Sequence, residues 1–308
     1  MKERFGLLFP GQGSQYVGMG LDLYEKFSQA RDVYERAEQI LELPVRKLSF
    51  EGPEDELRQT RYTQPAILVH SLAALACLSD LKPTVAAGHS LGEYSALYAA
   101  GALDFESVLR LVKRRAELMW AEGEKNPGTM AAVIGLDAGT VEALCKEVSG
   151  VVVCANYNEP KQTVISGEIE AVKQAAELAK QRGALKAVML PVSGAFHSPL
   201  LRESAAEFAD YLGRFEIRDP AFPVIANVTG RPEITKDEVR ANLSRQLISP
   251  VRWVETIGSA QALGVKNFFE VGPGQVLAGL ARRTSRELAV MPLGKASEIQ
   301  SLLERETA

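Results

Sequence analysis

The clearest indication of fold lies in residues 84–100, which read Thr84-Val85-Ala86-Ala87-Gly88-His89-Ser90-Leu91-Gly92-Glu93-Tyr94-Ser95-Ala96-Leu97-Tyr98-Ala99-Ala100. A short apolar run typical of a buried strand reaches Gly88, and a helix-like run follows Gly92. The G-x-S-x-G pentapeptide between them is typical of a sharp strand-to-helix turn that lifts a serine hydroxyl clear of the backbone. Its glycines suit a strained turn between closely packed elements. This context predicts that Ser90 is a nucleophile, with an ordinary serine in a glycine-bounded turn as the alternative.

A nucleophilic serine needs a base, and the chain contains three histidines. His89 adjoins Ser90, and adjacent side chains diverge at such a turn. His70 lies in an apolar helical stretch, which favours a buried histidine with a backbone partner. His197 lies in a loop of small residues over 191–199, and catalytic groups concentrate on loops. Elimination therefore predicts His197 as the general base for Ser90, with a capping or surface histidine as the alternative.

Composition narrows the class of protein. The chain has 308 residues, of which 46% are hydrophobic and 24% charged, as expected for a large globular domain or one domain with an insert. The formal net charge is −4 and no long basic run occurs, so nucleic acid is not an expected partner. Cys77, Cys145 and Cys154 show no C-x-x-C spacing, which indicates reduced thiols in a cytoplasmic protein and no metal site. No stretch is long enough to span a membrane.

The order of predicted elements divides the chain into a large domain and an insert. Strand and helix patterns alternate outside residues 129–193, which predicts a mostly parallel sheet. A strand is expected there at 224–228, and a helix at 236–247. Inside 129–193 the predicted order is βαββαβ, the ferredoxin-like arrangement. We therefore predict a large α/β domain over 1–128 and 194–308, a ferredoxin-like subdomain over 129–193, and a ligand cleft between them.

The loop Gly11-Gln12-Gly13 follows the first strand pattern, where a dinucleotide-binding loop would lie. Tyr16 occupies the position of the third glycine of that fingerprint, and no P-loop lysine follows. The sequence instead favours a loop that presents backbone N–H groups to a reacting oxyanion. A simple helix entry is the alternative.

Arg115 lies on the apolar face of the helix predicted over 104–122. A guanidinium on a buried face needs an anion. That anion is either an internal carboxylate or a substrate carboxylate held by two parallel hydrogen bonds. The pattern alone leaves both interpretations open.

Together these motifs resemble the malonyl-CoA:acyl carrier protein transacylase family. The matching stretches follow the family's order through nearly the whole chain: Phe9-Pro10-Gly11-Gln12-Gly13-Ser14-Gln15, residues 88–97, Arg115, Ala155-Asn156-Tyr157-Asn158, Gly194-Ala195-Phe196-His197-Ser198 and Glu270-Val271-Gly272-Pro273-Gly274. The resemblance implies a hydrolase-like, mostly parallel α/β domain with an inserted ferredoxin-like subdomain. This agrees with the order of elements predicted above.

The resemblance also implies a role for each matching position. Ser90 would be the nucleophile and His197 the base. The backbone N–H groups of Gln12 and Leu91 would hold the oxyanion, and Arg115 would bind the malonyl carboxylate.

Three further positions take their roles from the resemblance alone. A backbone carbonyl, by alignment that of Arg252, would orient the histidine in place of an aspartate. Asn156 would line the active site. Phe196 would accompany a preference for malonyl over methylmalonyl groups, because a bulky residue before the base does so in related acyltransferases.

The implied reaction is a ping-pong transfer of a malonyl group from malonyl-CoA to the phosphopantetheine thiol of acyl carrier protein, as in fatty acid biosynthesis. It needs no metal or redox cofactor, and we expect a cytoplasmic monomer with no membrane partner. A stand-alone acyltransferase of a polyketide assembly line would use the same residues and is an alternative. A serine hydrolase that discharges acyl groups to water is another. A non-catalytic scaffold is disfavoured, because every catalytic position is filled.

Overall fold

The computed structural model describes residues 4–78, 81–192 and 194–307. The strands in these ranges are β1 (Phe5–Phe9), β2 (Val85–Gly88), β3 (Gly128–Ile134), β4 (Val152–Glu159), β5 (Gln162–Glu168), β6 (Lys186–Met189), β7 (Val224–Ile225), β8 (Pro232–Glu233), β9 (Asn267–Glu270) and β10 (Ala289–Pro292). The helices of the first half are α1 (Leu21–Lys26), α2 (Ser28–Leu41), α3 (Val45–Phe50), α4 (Glu54–Leu57), α5 (Thr60–Ala76), α6 (Gly92–Ala99), α7 (Phe105–Lys125) and α8 (Ala138–Glu147). Those of the second half are α9 (Ile169–Gln181), a 3-10 turn (Pro199–Leu201), α10 (Arg202–Leu212), α11 (Lys236–Gln246), α12 (Trp253–Ala262), α13 (Val276–Thr284) and α14 (Ala296–Thr307).

The larger sheet has six strands in the order β10-β9-β1-β2-β7-β8. Every pairing is parallel except that of β7 with β8, which confirms the prediction of a mostly parallel sheet. The carboxyl ends of parallel strands meet at one edge, where ligands bind in such folds. The glycine-rich loop after β1, the G-x-S-x-G turn after β2 and the loop after β9 therefore lie side by side.

The side chains of β1 alternate between two hydrophobic clusters. Leu7 and Phe9 pack into the larger cluster with helices α2, α5 and α7, whereas Leu8 packs into a second cluster that contains Trp253. A strand buried on both faces is expected in a parallel sheet covered by helices. The loops that follow β1 and β2 are thus carried on a fixed support.

The smaller sheet has four antiparallel strands in the order β4-β5-β3-β6. With α8 and α9 it follows the βαββαβ order and confirms the predicted ferredoxin-like arrangement. Strand β4 contacts the rest of the chain through a bridge between Asn156 and Val251. The exact limits of the two domains stay a prediction. Residues 1–3, Ser193 at the end of the predicted insert and Ala308 lie outside the described residues.

Candidate active site

The turn after β2 holds Ser90 in a left-handed conformation, with φ of 51°. Its two flanking glycines are required by close packing. A Cβ on Gly88 would lie 1.9 Å from the carbonyl carbon of Gly92, and one on Gly92 would lie 2.0 Å from the carbonyl oxygen of Phe9. Both distances are far inside van der Waals contact. The turn is therefore the strained strand-to-helix elbow that the pentapeptide predicts.

Ser90 and His197 are in hydrogen-bonding contact, with 2.7 Å between Ser90 Oγ and His197 Nε2. The other ring nitrogen, Nδ1, lies 3.0 Å from the carbonyl oxygens of both Gln246 and Ser249. Because carbonyl oxygens only accept, these contacts place the proton on Nδ1. Nε2 is then free to accept the proton of the Ser90 hydroxyl.

The expected role of Arg252 in orienting the histidine is wrong. Arg252 is the residue immediately before α12, and its carbonyl accepts the backbone N–H of Thr256 at 2.9 Å. Helix α11 ends at Gln246, so the last carbonyls of that helix have no intrahelical partner and can turn to His197. The partial negative charge at this helix end would also favour a protonated imidazolium at His197.

Burial decides the charge of His197 in the resting site. Desolvation, and to a smaller extent the nearby Arg115 cation, lowers the pKa of His197 to about 3. The two carbonyl contacts oppose this shift but do not reverse it. His197 is therefore neutral near pH 7 and able to act as a base.

Arg115 is 1% exposed and projects from α7 towards Ser90. Its Nη2 donates to Ser90 Oγ at 3.0 Å and to Gln246 Oε1 at 3.0 Å, and Nη1 donates to Gln64 Oε1 at 2.6 Å. Within the described ranges, no carboxylate forms a hydrogen bond with this guanidinium. Of the two anions considered for Arg115, an internal carboxylate in direct contact is thus not found.

The predicted oxyanion donors lie beside Ser90. Leu91 stands at the N-terminus of α6, where backbone N–H groups have no intrahelical acceptor. The side chain of Gln12 donates to Thr60 Oγ1 at 3.2 Å, which fixes the loop after β1. Among the residues described, no protein acceptor pairs with the backbone N–H of either Gln12 or Leu91. Their role as oxyanion donors stays a prediction that this geometry allows.

These residues line a cavity of about 150 Å³. Polar groups of the cavity wall are Gln12, Gln64, His89, Ser90, Arg115, Asn156, Asn158 and His197, and its apolar groups are Leu91, Met119, Met130, Val164, Leu190, Val192 and Phe196. Met130 and Val164 come from the smaller sheet, whereas Ser90 follows a strand of the larger one. The cavity thus lies between the two sheets, as predicted. Except for Arg252, every predicted site residue lies on its wall.

The other two histidines have partners of their own. His70 is buried, and its Nε2 lies 2.9 Å from the carbonyl oxygen of Gly294, which confirms the prediction of a backbone partner. His89 Nε2 lies 2.8 Å from Asn158 Oδ1. Neither contacts Ser90 Oγ, so the elimination that selects His197 agrees with the structure.

Several polar residues of the site have no motif in the sequence. Asn227 Oδ1 accepts the backbone N–H of Ser90 at 2.6 Å, and its Nδ2 donates to the carbonyl of Gly88 at 2.7 Å, so this side chain braces the elbow. Gln64 and Gln246 hold Arg115. A polar residue inside an apolar helix is a weak signal for Gln64, whereas Gln246 at the end of an ordinary helix gives none.

None of the helices in the described part of the chain is long and apolar enough to cross a membrane. Over the same ranges, no group of three or more His, Cys, Asp or Glu side chains is arranged to hold a metal ion.

Comparison with known proteins gives concordant matches. The sequence model of the acyl transferase domain family matches residues 7–306. A malonyl CoA-acyl carrier protein transacylase of Bacillus subtilis is 40% identical over 98% of this chain and 97% of its own length. The structure of the Coxiella burnetii malonyl CoA-acyl carrier protein transacylase superposes with a TM-score of 0.95 at 39% identity, covering 99% of this chain and 98% of that one. A malonyl-transacylase solved in complex with a type II PKS acyl-carrier protein also gives a TM-score of 0.95 at 39% identity, over 98% and 100% of the two chains.

Proposed function

The chain belongs to the malonyl CoA-acyl carrier protein transacylase family, and from that premise we propose that it transfers a malonyl group from malonyl-CoA to the phosphopantetheine thiol of an acyl carrier protein. The names of its relatives support both substrates. The observation that carries the proposal is the position of Arg115. Its buried cation lies 3.0 Å from the nucleophile with no carboxylate in hydrogen-bonding contact, as a site for a short acyl group with a free carboxylate requires.

In the first half-reaction, Ser90 Oγ attacks the thioester carbonyl carbon of malonyl-CoA while its proton passes to His197 Nε2. The backbone N–H groups of Gln12 and Leu91 stabilise the negative charge on the carbonyl oxygen. The carbon–sulfur bond then breaks, and CoA leaves as the thiol after taking the proton from His197. A malonyl ester on Ser90 remains.

In the second half-reaction, His197 takes the proton of the phosphopantetheine thiol, and the thiolate attacks the malonyl ester. When the carbon–oxygen bond of the ester breaks, Ser90 Oγ recovers its proton from His197. The product is malonyl-acyl carrier protein. This chemistry is complete without a metal or a redox cofactor.

Asn156 and Phe196 bound the acyl group in this proposal. Both are buried, at 6% exposed each, and both line the cavity beside Ser90. The bulk of Phe196 on this wall would restrict the space for the additional methyl group of methylmalonyl. We further propose a cytoplasmic location, which three free, buried cysteines support, and a monomeric state.

The test is a mass measurement of the acceptor. The enzyme is mixed with malonyl-CoA and holo-acyl carrier protein, and both malonyl-carrier and free malonate are quantified over time. The proposal expects malonyl-carrier to accumulate far faster than malonate. Release of malonate at the same rate with and without carrier would indicate a hydrolase instead. Carriers from fatty acid and type II polyketide systems, compared side by side, would distinguish the two pathways.

A further inference from the structure

Gln246 occupies an unusual position between two buried ionisable side chains, those of Arg115 and Glu93. It is the last residue of α11 and is fully buried. Its Oε1 accepts from Arg115 Nη2 at 3.0 Å and from Arg115 Nε at 3.3 Å. Its Nε2 donates to Glu93 Oε2 at 2.6 Å and to the carbonyl of Ser90 at 3.0 Å. Because a rotated amide would direct N–H groups at the guanidinium, these four contacts allow one orientation only.

Glu93 is the buried carboxylate on the far side of this amide. It is fully buried, its Oε2 also accepts the backbone N–H of Asn227 at 3.3 Å, and no partner for its Oε1 is found among the described residues. Burial, with the neighbouring Glu233, raises the pKa of Glu93 to about 8, and the hydrogen bonds from Gln246 and Asn227 and the Arg115 cation oppose this rise without reversing it. Arg115 is equally buried, and desolvation lowers its pKa.

Contact with the Arg115 cation would favour the ionised form of Glu93, and the two opposite charges would then attract strongly because little solvent screens them in such a medium. Direct contact between Glu93 and Arg115 would therefore satisfy both groups, and it would also occupy the guanidinium. The amide of Gln246 lies between them and bonds to each. A neutral oxygen leaves the positive charge of Arg115 without a compensating anion at hydrogen-bonding distance.

We propose that Gln246 is a positioning residue for acyl choice, because its side chain separates Arg115 from Glu93 and keeps the guanidinium directed at Ser90 Oγ. This inference rests on the proposed function. When malonyl-CoA binds, its carboxylate meets the Arg115 cation, whose own partners are two amide oxygens and a hydroxyl. Without Gln246, an internal carboxylate would already neutralise that cation. Gln246 acts on selectivity through Arg115 and does not itself touch the reacting atoms.

The experiment compares malonyl-CoA and acetyl-CoA as donors in single-turnover acylation, with the ratio of kcat/KM values as the readout. Gln246→Ala vacates the space between the charges, so that Arg115 can pair with Glu93. The malonyl-to-acetyl ratio should fall by about tenfold or more, since the guanidinium no longer offers a charge-assisted bond to the substrate. Glu93→Gln introduced into Gln246→Ala should recover most of the lost ratio, because the competing carboxylate is gone.

Asn242→Ala is the matched control. Asn242 lies one turn earlier on α11, is buried, and donates to the buried carboxylate of Glu233 at 2.7 Å. The Asn242→Ala substitution thus removes a hydrogen bond between an amide and a carboxylate on the same helix, at a residue that does not contact Arg115. The malonyl-to-acetyl ratio should therefore stay at the wild-type value. An equal fall in the ratio for Asn242→Ala would show a general effect of loosening α11 and would overturn the inference.

Gln246→Glu decides the question if the alanine variant does not fold. It keeps the size and shape of the side chain but sets a carboxylate against Arg115 Nε and Nη2, so the malonyl preference should be lost. A purely structural role predicts that this near-isosteric variant keeps the ratio. If wild type prefers malonyl-CoA and both Gln246 variants keep that preference, only this inference fails. If wild type itself shows no malonyl preference, the proposed function fails.

Discussion

Replacing Arg115 by alanine tests malonyl recognition most sharply. In the resting site its Nη2 lies 3.0 Å from Ser90 Oγ, and its described hydrogen-bond partners are uncharged. A hydrogen bond between a guanidinium and a carboxylate contributes roughly 1.5–3 kcal/mol. At about 1.4 kcal/mol per factor of ten, Arg115→Ala should lower kcat/KM for malonyl-CoA by roughly 10- to 150-fold. Acetyl-CoA has no carboxylate, so its kcat/KM should stay or rise.

The same variant has a second effect that must be separated from the first. It leaves the buried Oε1 atoms of Gln64 and Gln246 without their donor, and each unsatisfied buried acceptor costs about 1–3 kcal/mol of the free energy of unfolding. Denaturant unfolding measures this loss. Arg115→Lys is the companion variant, since it keeps the charge but not the planar fork, and an intermediate preference is expected.

Initial rates of acylation from malonyl-CoA and acetyl-CoA, each on enzyme shown to be folded, give the deciding ratio. If kcat/KM falls equally for both donors, Arg115 serves the structure of the site alone, and the assignment of a malonyl group loses its main physical support.

Three further predictions concern the base, the acyl wall and the elbow. Because the pKa of His197 lies at about 3, well below its ordinary value of 6.5, kcat/KM for acylation should show no acidic limb near pH 6.5. An acidic limb near pH 6.5 would contradict a buried, neutral base. The free energy of unfolding should also decrease as pH falls from 6.5 towards 3, because the unfolded chain binds a proton at His197 in this range and the folded chain does not. Phe196→Ser should relax discrimination against methylmalonyl-CoA by about 1–3 kcal/mol, measured as a ratio of kcat/KM values; an unchanged ratio would exclude Phe196 from the wall. Gly92→Ala sets a Cβ 2.0 Å from the Phe9 carbonyl oxygen and should lower both the melting temperature and the rate of acylation. A Gly92→Ala enzyme with the melting temperature and acylation rate of wild type would mean that the elbow is not tightly packed.

The site residues that can be predicted from the sequence are those that a short stretch of sequence makes conspicuous. The elbow needs glycines at 88 and 92 because of contacts with neighbouring backbone, and that requirement is visible as a pentapeptide. His197 emerges by elimination, since the chain has few histidines. Arg115 is visible because a charge on an apolar helix face breaks the periodic pattern.

The parts that the sequence hides depend on distant contacts. Gln246 and Asn227 bond to the backbone of Ser90 from 156 and 137 positions away, and neither breaks a local pattern. The strand predicted over 224–228 also fails for this reason. Strand β7 covers Val224–Ile225 only, because Asn227 uses its side chain on the elbow and its carbonyl on the N–H of Arg252.

The identity of the carbonyls that orient His197 shows the limit of alignment. Gln246 and Ser249 supply them, and Arg252 a few positions later does not. The difference depends on where α11 ends and how the chain crosses to α12. A motif that fixes residue types does not fix which backbone atom reaches a ring nitrogen.

The central claim is that Ser90 carries the malonyl group, and intact-mass analysis tests it most directly. Wild-type enzyme mixed with malonyl-CoA, without carrier protein, should gain the mass of one malonyl group and lose it when holo-acyl carrier protein is added. Ser90→Ala should gain none. Stoichiometric labelling of Ser90→Ala, or a wild-type label that carrier protein does not remove, would contradict the account.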